Sequence, residues 1–225
     1  MHLFDQKLTY VSVPKCACST LKHFMFEVQN GFAFRNFRVG AKRYTVHALS
    51  RSIPFAKLAH DKIGDHFKFA LVRAPVSRVK SCYESKVLGG EMRKQKGAAR
   101  RLQQAGLPLE PSFREFVEQL DGYRKLSPVV RNHSMPLSRF LGRDPAWFDR
   151  IYRLSEIEEL AATVRERSGS DAKLRHRNPS KRKIDPAELT PELVAEIDDA
   201  FREDHELFSR WFDPVSSPSK VAVAV

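Results

Sequence analysis

Two short stretches of this 225-residue chain carry side chains suited to gripping anions. The first reads Val13-Pro14-Lys15-Cys16-Ala17-Cys18-Ser19-Thr20. It follows a β-rich run, Leu8–Val13, and precedes a helix expected from about Ser19 to Val28, ended by Asn30-Gly31. A loop entering a helix leaves backbone N–H groups without acceptors, and those donors, with the helix dipole, favour negative charge. Lys15 adds a full positive charge, and the Ser19 and Thr20 hydroxyls add donors. Small side chains at Ala17, Cys18 and Ser19 let a phosphate come close to the backbone. The alternative is an ordinary helix cap with Lys15 in solvent. The order is not that of a Walker A loop, because the lysine comes early instead of just before the Ser/Thr. Cys16-x-Cys18 lacks a second ligand pair, so no metal is expected.

The second stretch is Arg73-Ala-Pro-Val-Ser-Arg78-Val-Lys-Ser81. Phe67–Arg73 reads as a strand. Pro75 suits the first turn of a helix running through Tyr83 to Gly89-Gly90. Arg73 then sits at a strand end, where open α/β sheets bind ligands. Its planar fork matches two phosphate oxygens, and Ser81 can donate from two helical turns further on. Alone, each residue passes for an ordinary rim or helix position. Together the two stretches describe a site for two separate anionic groups.

Strand, tight connection and helix thus occur twice. That predicts an α/β fold of P-loop type in three layers, a central parallel sheet flanked by helices. Phe32–Arg43 has no clear period and reads as strand or loop, and Ile53–Ile63 as a short helix. Glu91–Ala105 reads as an exposed basic helix and Ser112–Leu120 as an amphipathic one. Arg150–Leu154 reads as a strand leading to a helix with Ser155 and Glu158 at capping-box spacing. Thr190-Pro191 opens a last helix bearing Leu193, Ile197, Phe201 and Phe208. One domain, 1–212, is expected, with a mobile tail over 213–225.

Composition sets the outer limits. With 42% hydrophobic residues the chain can bury a core, and its net charge of +12 implies a negatively charged partner. Nucleic acid, an anionic membrane and an anionic small molecule all satisfy that charge. Three cysteines argue against a disulfide framework. No apolar run approaches the ~18–20 residues that span a bilayer, and no signal-peptide pattern opens the chain. A cytoplasmic protein without a transmembrane segment is expected.

The two anion-gripping segments resemble the nucleotide signature of sulfotransferases that use 3'-phosphoadenosine 5'-phosphosulfate (PAPS). VPKCACSTLK is very similar to the loop of the chondroitin- and uronyl-type carbohydrate enzymes. Weaker likeness touches Tyr152–Glu156, Asn178-Pro-Ser180 and Asp204–Phe208, while the membrane anchor typical of the Golgi members is missing, as in a soluble bacterial-like relative. The resemblance implies that Lys15, Cys16, Ala17, Cys18, Ser19 and Thr20 strap the 5'-phosphosulfate and that Arg73 and Ser81 hold the 3'-phosphate. It further implies sulfuryl transfer to a hydroxyl, on a glycan or other alcohol and in some cases an anionic one, without a metal. Lys15 would stabilise the leaving oxygen. His47, in a segment similar to that of the proposed base in uronyl enzymes, would take the proton, with His133 next in line. The basic loop Lys173–Lys183, through Asn178 and Ser180, would close on the nucleotide, and Arg93–Arg101 would attract an anionic acceptor. For both runs a solvated charged face is the simpler reading. Two rival functions remain: a P-loop-like nucleotide kinase and a basic nucleic-acid-binding module, although no magnesium-binding acid and no nucleic-acid motif is visible.

Overall fold

The computed structural model describes residues 1–175 and 182–214. Four strands form the central sheet: β1 (His2–Leu3), β2 (Leu8–Val11), β5 (Phe67–Val72) and β6 (Arg150–Arg153), side by side in the order β1-β2-β5-β6. A separate hairpin pairs β3 (Phe37–Val39) with β4 (Lys42–Tyr44). β2, β5 and β6 run parallel, as expected, and the edge strand β1 runs antiparallel to β2. Two residues of edge strand carry no readable period, which is why the sequence pattern missed it.

All four residues of β2 are buried, and neighbouring side chains on a strand point to opposite faces. The sheet is therefore covered on both sides. One core cluster joins the sheet to α1 (Cys18–Asn30) and α9 (Ile157–Ser168), through residues such as Leu21, Phe24, Phe69, Tyr152 and Leu160. A second cluster is built mainly by helices, with Met92, Leu107 and Ile184 added from the connecting loops. It unites α3 (Pro75–Cys82), α4 (Ala98–Gln104), α5 (Phe113–Glu118), α6 (Leu120–Leu126), α7 (Pro128–Ser134) and α10 (Pro191–Ala200) around Val79, Phe116, Tyr123 and Ile197. The short helices α2 (Val46–Leu49) and α8 (Ser138–Leu141) and the closing α11 (Arg202–Phe208) complete the fold.

Several sequence expectations shift in detail. Ile53–Ile63 forms two 3-10 turns, Phe55–Lys57 and His60–Lys62, instead of one helix. Of Glu91–Ala105, Ala98–Gln104 alone is helical. The expected Ser155–Glu158 capping box sits two residues earlier: the Arg153 N–H donates to Glu156 at 2.8 Å, while Ser155 Oγ donates to Asp213. The last helix breaks at Phe201 into α10 and α11, and its Thr190 cap is as read, accepting from the Leu193 N–H at 3.4 Å. The helix from Pro75 does run to the double glycine, but its final turn, Tyr83–Leu88, is π-helical. There the Gly89 N–H donates to the Glu84 carbonyl at 3.1 Å. A Cβ on Gly89 would lie 2.2 Å from the Ser85 carbonyl, so only glycine closes this turn.

Candidate functional site

Because β2 and β5 are parallel and in register from Leu8↔Phe67 to Val11↔Ala70, the loops after them leave the same edge of the sheet. That edge opens into a cavity of about 1470 Å³. Lys15, Ala17, Cys18, Ser19 and Thr20 line it, and so do Arg73, Ser81, His47 and His133. Arg73 Nη1 donates to the Lys15 carbonyl at 3.2 Å. The two stretches 58 residues apart therefore meet in one site.

The Lys15 loop is bent hard. Lys15 and Ala17 both take left-handed backbone angles, φ 67° and 49°, which non-glycine residues adopt at a cost. Ala17 is the N-cap of α1, and no side chain caps that helix. Cys16 differs from its neighbours: it is fully buried, and its N–H donates to the Val13 carbonyl at 3.4 Å. It holds the loop from inside the core instead of facing the cavity.

Lys15 Nζ donates to Ser85 Oγ at 2.7 Å, reaching across to the π-helical turn. Burial pushes its ammonium pKa down, with Lys86 and Arg73 adding to the effect, while Cys82 and Cys18 oppose it. On the other side, Lys22 is only 1% exposed yet touches the cavity. Its Nζ donates to Ser52 Oγ at 3.1 Å and to His47 Nδ1 at 3.4 Å. An ammonium can only donate, so Nδ1 accepts and the Nε2–H of His47 is the donor to Ser19 Oγ at 2.9 Å. His133 is arranged the other way. Its Nδ1–H donates to the Val129 carbonyl at 2.7 Å, which leaves the Nε2 lone pair without a hydrogen bond among the described residues. Lys15, Lys22 and Arg73 are thus all bonded to neutral groups. An unpaired buried cation is costly unless an anion joins it.

Both histidines are neutral near pH 7. Burial first, then Lys22, Lys86 and His23, lower His47 to about 4. Burial and Lys86 lead in lowering His133 to about 3. A histidine whose folded pKa lies below its unfolded value of about 6.5 binds fewer protons folded than unfolded. Stability is therefore expected to fall as pH drops from about 6.5 to about 3, the His47 share of the loss ending near 4 and the His133 share near 3. In thermal melts over this range, His133→Gln should flatten the slope. A slope equal to that of the unaltered protein would contradict the burial argument.

The remaining expected contacts divide. Asn178 and Ser180 lie outside the described residues. Of the flanking basic loop, Arg182 and Lys183 reach the cavity, Lys183 pairing with Glu84 at 3.6 Å, while Arg175 pairs with Glu27. Arg93 touches the cavity but is bound to Glu110, and Arg101 is bonded to the Lys96 carbonyl at 2.8 Å. Sequence reasoning missed Lys22, Ser52 and Ser85. Lys22 sits one helical turn beyond Cys18 and was within reach of a helical-wheel argument. Ser85 was not, because a π turn sets its position.

A model of the sulfotransferase family matches residues 4–210. The chain belongs to the sulfotransferase family. No curated protein and no solved structure matches it. The matched span takes in both anion-gripping stretches, all of the central sheet beyond His2–Leu3, and Asp204 on α11. In this sulfotransferase the three parallel strands are followed by Ser12, Arg73 and Leu154, so none ends on a carboxylate.

Proposed function

We propose that this sulfotransferase takes its sulfuryl group from PAPS and passes it to an acceptor hydroxyl on a carbohydrate. The observation that carries the reading is the 3.2 Å bond between Arg73 and the Lys15 carbonyl, at one cavity with three cations bonded to neutral groups. A nucleotide with phosphate groups at both ends of its ribose fits cations set on two strand ends. Arg73 and Ser81 take the 3'-phosphate. Lys15 and the amides and hydroxyls from Ala17 to Thr20 take the phosphosulfate, and Asn178 and Ser180 are proposed to close over the nucleotide.

When bound, PAPS supplies a sulfur whose bond to the 5'-phosphate oxygen can be displaced in line, by analogy with phosphoryl transfer. The chain's part is to align the acceptor oxygen, hold the departing phosphate oxygen with Lys15, and remove the hydroxyl proton. We assign that proton to His47, beside Ser19 at the loop. For this its ring exchanges tautomers, and Lys22 keeps Ser52 as its partner. His133 is the second candidate because its Nε2 lone pair is already available. A carbohydrate acceptor rests on the likeness of the VPKCACSTLK loop. A cytoplasmic setting rests on the free thiols Cys16, Cys18 and Cys82. Against a kinase stands the sequence at the three parallel strand ends, where Ser12, Arg73 and Leu154 follow and none is a carboxylate.

Adenosine 3',5'-bisphosphate is expected to raise the thermal midpoint, since a ligand at 100 times its Kd adds about 2.7 kcal/mol. ATP at equal concentration should do much less. Arg73→Ala should weaken bisphosphate binding by roughly 10- to 100-fold, the value of a charge-assisted contact. Stabilisation by ATP alone would exclude the reading.

A further inference from the structure

Among the described residues five large hydrophobic side chains are exposed, and four of them fall between positions 32 and 49. They are Phe32 (62% exposed), Phe37 (45%), Val39 (62%) and Leu49 (53%). The same region is strongly basic. Between Glu27 and Asp61 there are six Lys or Arg residues and no Asp or Glu.

The β3–β4 hairpin organises both features. Its register sets Phe37 opposite Tyr44 and Val39 opposite Lys42, so these four share one face, while Arg38 and Arg43 pair on the other. The Phe37 and Tyr44 rings stack with centroids 5.0 Å apart. Phe37 also meets Phe34, which is buried and packs on Phe26 of α1, so the hairpin is anchored at its base. Its tip is free: a Cβ built on Gly40, in the left-handed region at φ +57°, meets nothing within 4 Å. The result is an apolar tip and face with cations on both sides.

We propose that this hairpin docks the protein on an anionic lipid surface, with Val39 and Phe37 entering the headgroup region and the cations resting on lipid phosphates. Exposed apolar residues set among Lys and Arg are the pattern that partitions into a membrane interface. A second copy of the chain is a poor occupant, because two faces without a carboxylate repel each other. A polyanionic sugar chain matches the charge but offers Val39 and Leu49 no apolar phase to enter. The hairpin also leads directly into α2, where His47 borders the cavity and Leu49 stands exposed. Docking therefore brings the catalytic cavity close to the lipid surface, where an acceptor hydroxyl carried by a lipid would lie. The docking itself stands whether or not the donor is PAPS.

The test is co-sedimentation of the full chain with vesicles of phosphatidylcholine alone or mixed with phosphatidylglycerol, with dextran sulfate resin as the soluble-polyanion control. Binding to the mixed vesicles only is expected. It should weaken with salt, fall on Val39→Glu, and drop by roughly fivefold for each cation lost in Arg38→Gln/Arg43→Gln. Unchanged bisphosphate stabilisation in the variants shows that the fold and the cavity are intact. Vesicle binding indifferent to both variants overturns the proposal. So does failure to bind vesicles, whether the chain is then held on the resin or forms a dimer that Val39→Glu dissolves. Failure of bisphosphate stabilisation with vesicle binding retained would count against the donor assignment alone.

Discussion

Lys15→Met is expected to reduce turnover of sulfur-labelled PAPS by about 10²–10³-fold, the usual loss when a group stabilising developing charge is removed. Lys15 is held ready for that role. Its backbone sits at φ 67°, and its ammonium is fixed on Ser85 Oγ at 2.7 Å without a carboxylate partner. Strain of this kind persists where surrounding structure enforces it. Methionine keeps the length and the apolar stem, so the fold and much of the bisphosphate affinity should survive. His47→Ala makes the contrast: a loss of about 10²–10⁴-fold in turnover with nucleotide binding nearly intact, as for removal of a general base. An acceptor for both assays comes from a labelled-donor screen over sugars, lipid-linked glycans and simple alcohols. If Lys15→Met costs less than about tenfold, Lys15 is not at the leaving oxygen. If His47→Ala is silent and His133→Ala is not, the proton belongs to His133.

Asp204→Ala is expected to give the largest loss of stability. The Asp204 carboxylate is fully buried and bonded on all sides. It accepts from the Leu137 N–H at 2.7 Å, from the Ser138 N–H at 3.4 Å and from Arg78 Nη1 at 3.3 Å. Arg78, itself 1% exposed, also donates to the Met135 carbonyl at 2.6 Å. Burial raises the Asp204 pKa, and Arg78 and the two amides oppose that shift. Removing one partner of such a pair leaves a buried charge uncompensated and costs about 3–5 kcal/mol. At roughly 2–4 °C per kcal/mol for a chain of this size, the thermal midpoint should fall by about 6–20 °C. The double change Arg78→Met/Asp204→Leu should recover only part of this, because the Leu137 and Ser138 amides stay unsatisfied. A drop below about 1 kcal/mol for the single variant would mean the cluster is unimportant. The cluster bears on function as well. Arg78 lies on α3 between Arg73 and Ser81, and the segment Asp204 holds leads to Arg139 and Phe140 on the cavity wall.

What could be read in the sequence follows from how local each signal is. The Lys15 loop and the Arg73–Ser81 pair are encoded within a few residues each, and strand–loop–helix periodicity announces where they lie. Their meeting at one sheet edge follows from parallel pairing, which the repeated unit implies. Lys22 and Ser52 are joined by a bond across 30 residues, and Lys15 and Ser85 by one across 70, so no window of sequence displays them. The four helices α5 to α8 are short, and only the first was foreseen, since seven residues hold barely two turns of period. Asp204 lay in a stretch noted only for family likeness. Its role as a buried anchor is tertiary.

Lys15, Lys22 and Arg73 rest on hydroxyls, a carbonyl and an imidazole, and this bears on how the cavity fills and empties. Among the described residues no carboxylate pairs with Lys15, Lys22 or Arg73, so an incoming anion displaces neutral hydrogen bonds there and has no ion pair of theirs to break. The same parking places are there for the charged groups to return to when product departs, which favours rapid turnover of the site over tight retention.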